Sequence, residues 1–405
     1  MIDLLGFTAI LIVSLITLVM ALRWPEISNI LFVALIIRVL LLLVGHYIIP
    51  LPGGNLDAEF FERRAWDFGQ DGFYNALSHF NLGPFVFFSW LHSIPYSLFG
   101  RSILMGQSIG LLFGIGTIFF GWKLANILWD SRTANKVGWA LALFPSLILY
   151  SVLFLREVYI GFFLLLAVYG VVNWIKTDSY KSIVLSLMGF IGATLLHGPM
   201  LVGAIIFLIV LSATYFKRIL TLLIKLKFDL KVFTIFLSCI ILIGLYLSSK
   251  ISVSYIGAFE NSINIESLLQ RTHNATQGNA SWPEWTKISS GIELLYKVPA
   301  RSIYFVFSPF PWDIKKFGHL IGLFDSCLYI YLVLLILRNI KVIWKDPSLR
   351  IILIILLFYI CIYGLGVGNF GTALRHKTKF TFMFILLAAP LIKKLVFLKD
   401  QAKIE

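Results

Sequence analysis

Apolar runs near 20 residues long recur along most of this chain, and that recurrence leaves few folds open. In a bilayer every backbone N–H and C=O must be satisfied within the protein, so runs of this length fold as helices. They fall at about 4–22, 27–49, 103–123, 134–152, 158–175, 182–197, 199–216, 232–249, 318–337, 350–367 and 380–397. The 405 residues are 59% hydrophobic and 13% charged, more apolar than a soluble core of this size requires. The expectation is an all-α polytopic membrane protein with about 11 transmembrane helices, a single integral-membrane domain over residues 1–405.

Residues 84–99 are apolar as well, but Pro84 and Pro95 bracket them and His92 interrupts them. They read as a helix that lies in the interface or re-enters, not as a crossing. This choice sets the register of charge. One side then receives Arg23, then Lys123, Arg132 and Lys136, then Lys176 and Lys181. The same side receives the clusters around Lys217–Lys231, Arg338–Arg350 and Lys393–Lys403. Such persistent basicity marks the cytoplasmic face, with the N-terminus outside and the C-terminus inside. It also accounts for the net charge of +14 through topology and anionic lipid headgroups, without nucleic acid as a partner. The first run follows an acidic start, Met1-Ile2-Asp3, and lacks a basic segment before it, so it reads as a retained span. Cys239, Cys327 and Cys361 lie in or beside apolar runs and read as small hydrophobes.

Two long connections, 50–102 and 250–317, then face outward and form the expected active-site face. The first carries Asp57, Glu59, Arg63 and Arg64 at the start of a short amphipathic helix. The second ends in Ser308-Pro309-Phe310-Pro311-Trp312, whose rings suit the headgroup layer or stacking on a sugar. The same face receives Arg156 and Glu157 after Tyr150, His197 in a tight turn, and Arg375, His376, Lys377 and Lys379 before the last run. Charge near a bilayer costs roughly 2.5–3.5 kcal/mol per residue, so such groups pair with one another or serve a substrate. The cations at 375–377 run against the positive-inside tendency and point to a bound phosphate. Glycosyl transfer from a lipid-linked sugar fits this set. A carboxylate takes the acceptor's proton, and guanidiniums hold the phosphate leaving group in a planar fork.

The order of these features resembles the GT-C superfamily of polyprenyl-phosphate-dependent membrane glycosyltransferases. The likeness is carried by Asp57-Ala58-Glu59, the segment from Gly83-Pro84, Leu98-Phe99-Gly100, the basic stretch Lys123–Arg132, Pro145, Glu157, Leu196-His197-Gly198-Pro199 and Arg375. It covers most of residues 30–216 and again 368–392. The turn at His197 usually carries arginine in that family, so the chain departs from the pattern there. Ser308–Trp312 and Arg375–Lys377 also resemble stretches of bacterial polymerases of surface-polysaccharide repeat units. The resemblance implies a GT-C-like fold in a bacterial inner membrane with its active face outward. It implies an undecaprenyl-linked sugar donor, a glycan or lipid-linked acceptor, and O-antigen, capsule or exopolysaccharide synthesis, with polysaccharide-assembly proteins as candidate partners. On it Asp57 is the general base and Glu59 the fallback. Arg63, Arg64, Arg156, Glu157, His197, Arg375, His376 and Lys377 are the expected substrate-binding residues, and a divalent cation is left open as cofactor. A transporter or flippase of lipid-linked oligosaccharide is the alternative, and a non-catalytic assembly subunit is a third.

Overall fold

The computed structural model describes residues 3–54, 57–83, 86–225, 280–288, 290–314 and 319–393, with Leu237. The expected span 232–249, Leu237 apart, lies outside the described residues, as do Pro84 and residues 250–279 of the second long connection. In chain order the helices are α1 (Leu4–Arg23), α2 (Ser28–Tyr47), α3 (Asp57–Gly69), α4 (Phe73–Ser78), α5 (Phe87–Phe99), α6 (Ile103–Leu128), α7 (Ser131–Leu143), α8 (Pro145–Ser151), α9 (Glu157–Thr177), α10 (Tyr180–Leu196), α11 (Leu201–Lys225), α12 (Gly291–Phe307), α13 (His319–Lys345), α14 (Pro347–Gly366), α15 (Phe370–Lys377) and α16 (Thr381–Ala388). No strand occurs among the described residues. Among the described residues seven helices are long and apolar enough to cross a membrane: α1, α2, α6, α9, α11, α13 and α14. The chain is an all-α, multi-pass membrane protein.

The other expected crossings take different forms. The 134–152 run is broken into α7 and α8, because Pro145 has no N–H to continue the first helix. The break strands the last carbonyls of α7, and Arg38 in the middle of α2 closes it. Its Nη1 donates to Ala142 O at 2.9 Å and its Nε to Ser151 Oγ at 3.1 Å. The one charge well inside α2 is thus committed to a helix break. The run at 182–197 forms α10, 17 residues long, and the last run shows the eight-residue α16 and a 3-10 turn at Ala389–Leu391.

The connection after α8 stays inside the bundle, with every residue from 151 to 160 buried. It fits there because Gly106, Gly110 and Gly114 of α6 lie on one helical face. A Cβ at Gly106 would meet the Phe154 ring at 2.2 Å, and one at Gly114 would meet Ser151 Cβ at 2.7 Å. That close approach presents the first residue of α9, Glu157, from within the protein.

The connection 50–102 folds as α3, α4 and α5. At 1.5 Å per residue α5 is about 20 Å long, short of the ~30 Å hydrocarbon core. It packs along α3, where Ser89 Oγ donates to Phe61 O at 3.0 Å. The Arg101 fork holds Glu62 at 2.9 and 2.7 Å and fixes α3 to the start of α6. The connection 250–317 contains the 17-residue α12, which no apolar run marks. Pro299 and the charges Glu293, Lys297 and Arg301 disguised that helix. The first two form an i, i+4 ion pair at 2.9 Å. Arg301 is buried and donates to Gly364 O at 2.9 Å and Leu365 O at 3.1 Å, satisfying carbonyls at the end of α14 that have no helical partner.

Contacts between helix ends sort them into two sets. Ser102 Oγ donates to Asp3, joining the starts of α1 and α6 at one end. At the other, Lys123 lies over the Trp24 ring, Lys136 donates to Pro390 O, and Lys176 sits 3.7 Å from Asp346. Lys123, Lys136 and Lys176 thus share this second end, where the charge register expects them. In a cysteine-free background, cysteines replacing the exposed Gln70 and Thr372 should react with an impermeant thiol reagent from outside. One replacing the exposed Ser131 should react only after the membrane is opened; labelling of Ser131 from outside would contradict the orientation.

Candidate functional site

Six segments bring their polar groups to the end opposite the basic one: the starts of α3 and α9, the α10–α11 turn, the end of α14, the last turn of α15, and the turn after it. Asp57 and Glu157 sit at helix N-termini, where the dipole favours a negative charge. Arg375, His376 and Lys377 occupy the last turn of α15, where it favours a positive one.

Arg375 is the hinge of the arrangement. Its Nε lies 2.8 Å from Glu157 Oε1, and its Nη1 donates to Asp57 Oδ2. The two carboxylates differ in surroundings: the Glu157 side chain is fully buried, while that of Asp57 is 60% exposed. Lys379 Nζ stands 3.9 Å from Glu157 Oε1 and 2.6 Å from His376 Nδ1. This lysine reaches Glu157 because Gly161, one turn along α9, lets the 378–380 backbone approach; a Cβ there would meet Lys379 O at 3.4 Å. Arg156 Nη1 donates to Leu196 O at 3.0 Å and its guanidinium lies over Phe61, linking α3 to the His197 turn. Tyr363, at the end of α14, shares a hydrogen bond of 3.1 Å with His197 Nδ1 and packs its ring 4.9 Å from that of His376.

Burial holds the His376 imidazole well below its usual range, with Lys379, Arg375 and Arg156 adding to it. The hydrogen bond between Lys379 Nζ and His376 Nδ1 ties the turn after α15 back to its last turn. Arg156 and Arg375 stand with Lys379 against the two carboxylates, and burial draws the Lys379 pKa well down while Glu157 opposes the shift. Beneath Glu157 lies a cavity of about 20 Å³, lined by Arg38, Thr117, Tyr150, Glu157 and Thr378, with room for about one water.

The structure thus brings together Asp57, Arg156, Glu157, His197, Arg375 and His376 of the residues expected from sequence. It does not bring in the others. Glu59 is exposed and two positions from Asp57, so it points to another side of α3. Arg63 is exposed, and Arg64 lies over the rings of Phe60 and Phe68 on its own helix. Lys377 turns away because two residues from Arg375 carries it to the opposite face of α15. It is buried and donates to Val306 O at 3.0 Å and Ser308 O at 3.1 Å. Burial pushes its pKa down to about 8, with Asp325 opposing the shift. Lys377 is a fastener between α15 and the end of α12, not a phosphate ligand. Sequence reading underused Lys379, which shares a helical face with Arg375 at i+4, and missed Tyr363, which no local pattern marks.

Among the described residues no group of three His, Cys, Asp or Glu side chains is placed to hold a metal ion. Asp57 and Glu157 are separated by Arg375, so the site's own carboxylates do not assemble a donor set for a divalent cation.

The fold and this site together describe a multi-pass helical membrane protein with a buried ionic cluster at one end. No protein-family model matches the chain, and neither a curated protein nor a solved structure matches it.

Proposed function

We propose that the chain is a GT-C-like membrane glycosyltransferase of about eleven crossings that acts at the outer face of a bacterial inner membrane. The donor is a sugar or oligosaccharide on undecaprenyl phosphate or pyrophosphate, used in surface-polysaccharide synthesis by single transfer or repeat-unit polymerisation. The observation that carries this reading is Arg375, shared between an exposed and a buried carboxylate with Lys379 and Arg156 close behind it. A donor phosphate entering this group meets the Arg375 and Arg156 guanidiniums. It also competes with Asp57 for the Arg375 fork and leaves Asp57 free beside the reacting sugar.

In the transfer step the acceptor hydroxyl oxygen forms a bond to the anomeric carbon while the bond from that carbon to the phosphate oxygen breaks. Asp57 takes the hydroxyl proton, and the electron pair of the broken bond stays on the phosphate. Arg375, Lys379 and Arg156 stabilise that charge in surroundings of low dielectric, where it counts for more than in water. Glu157 stays charged and holds the cations in place. The test is turnover of a purified undecaprenyl-linked donor by the reconstituted chain, read as a lengthened acceptor glycan. Movement of intact donor between leaflets without a new glycosidic bond would instead establish transport. The broken α7–α8 helix is the feature that favours this second reading, since transporters use such helices.

A further inference from the structure

The end of α12 and the segment after it carry an aromatic group apart from the ionic cluster. Phe310 and Trp312 stack with centroids 4.8 Å apart and planes 8° from parallel. Tyr304 meets Phe310 edge-on at 5.1 Å, and Trp285 meets Tyr304 at 5.6 Å. Large aromatic rings are ordinarily turned inward when they cluster, yet Trp312 is 71% exposed and Trp285 55% exposed. Stacking on Phe310 covers one face of Trp312 and leaves its outer face open.

Two features set this group apart from a membrane anchor. The first is a polar rim: Glu284 beside Trp285, its side chain 91% exposed, pairs with Lys287 at 3.1 Å, and Asp313 borders Trp312 while accepting from Phe310 N–H at 2.9 Å. The remaining carboxylate oxygens accept hydrogen bonds from hydroxyls. The second is continuity with the ionic cluster. Trp282 N donates to Gly368 O at 2.8 Å and Phe370 N to Ala280 O at 3.0 Å, pinning the segment to the start of α15. Lys377 fastens Val306 and Ser308 to that helix two residues beyond Arg375.

We propose that Trp285 and Trp312, backed by Tyr304 and Phe310, form a shelf on which pyranose rings of the acceptor glycan stack, the role of acceptor resting on the transferase reading above. The axial C–H groups of a pyranose carry partial positive charge and lie against the electron-rich ring face, while rim carboxylates accept from equatorial hydroxyls. Such a shelf reads the ring face and not the hydroxyl pattern, so a generic hexasaccharide tests it.

The experiment places the full chain in nanodiscs of phosphatidylcholine and phosphatidylglycerol and measures iodide quenching of tryptophan emission. The difference between the wild type and Trp312→Phe isolates Trp312. Maltohexaose should shield that component saturably, and Phe310→Ala should raise the midpoint by about twofold to tenfold, the size of one lost aromatic stack. In transfer assays Trp312→Ala should raise the acceptor KM with kcat nearly unchanged. Quenching of the Trp312 component by dibrominated phosphatidylcholine, with no shielding by maltohexaose, overturns the shelf and makes the group an interfacial anchor. Donor turnover without shielding overturns the shelf alone. Saturable shielding without any donor turnover overturns the transferase reading and leaves the shelf as a glycan-binding surface.

Discussion

Asp57→Asn is expected to abolish glycan transfer while the protein remains folded and stable in detergent. The structural side of this expectation comes from exposure. The Asp57 side chain is 60% exposed and its partner Arg375 keeps a second carboxylate, Glu157. A surface ion pair of this kind contributes about 0–1 kcal/mol, so its loss leaves the bundle intact. The chemical side comes from the proton. Asparagine is nearly the same shape but cannot accept a proton, and loss of a positioned general base costs about 10²–10⁴-fold in rate. Glu59→Gln is the internal control, since Glu59 lies on another side of α3 and should retain turnover within about twofold. Measured with a purified lipid-linked donor, wild-type turnover by Asp57→Asn would end the assignment of Asp57. A loss with Glu59→Gln in its place would transfer the role to Glu59.

Most of the bundle was legible because helix in a membrane is dictated by length and polarity alone. The runs that became α1, α2, α6, α9, α11, α13 and α14 contain few charges, and their ends are marked by residues such as Asp3, Ser102 and Asp346, which accept from backbone N–H groups in the first turns. Residues 291–307 were not legible, because helicity there depends on tertiary partners. Arg301 is tolerable only against the carbonyls of α14, which no sequence window reveals. The site was half legible for the same reason. Charges out of place along the sequence pointed to Asp57, Glu157 and Arg375, and the fold brings all three together. Charge alone could not say which face of a short helix each residue takes. Arg375 and Lys377 look equivalent in sequence, yet one faces the carboxylates and the other the Val306 and Ser308 carbonyls. Tyr363 is one tyrosine among 16, and only packing against His197 and His376 distinguishes it.

Arg375→Ala should remove most transfer activity and also weaken the fold, and the two losses should be separable. Glu157 is fully buried, and Arg375 is its nearest cation, with Lys379 more distant at 3.9 Å. Removing one partner of a buried pair leaves an uncompensated charge and typically destabilises by about 3–5 kcal/mol. The single variant should therefore melt earlier. Adding Glu157→Gln takes away the stranded charge, so Arg375→Ala/Glu157→Gln should recover most of the lost stability. It should not recover turnover, because the phosphate partner is still absent. A hydrogen bond to a charged group contributes about 1.5–3 kcal/mol, which corresponds to roughly tenfold to a hundredfold in turnover or donor affinity. Arg375→Lys sharpens the test. Lysine keeps a charge for Glu157 and so should keep stability near the wild type, but it cannot hold Glu157 and a phosphate through one planar fork. It should remain clearly impaired. Thermal melts and donor turnover measured on the same preparations decide the matter. Full turnover by Arg375→Lys would discard the fork, and full turnover by the double variant would reduce Arg375 to a structural counter-ion of Glu157.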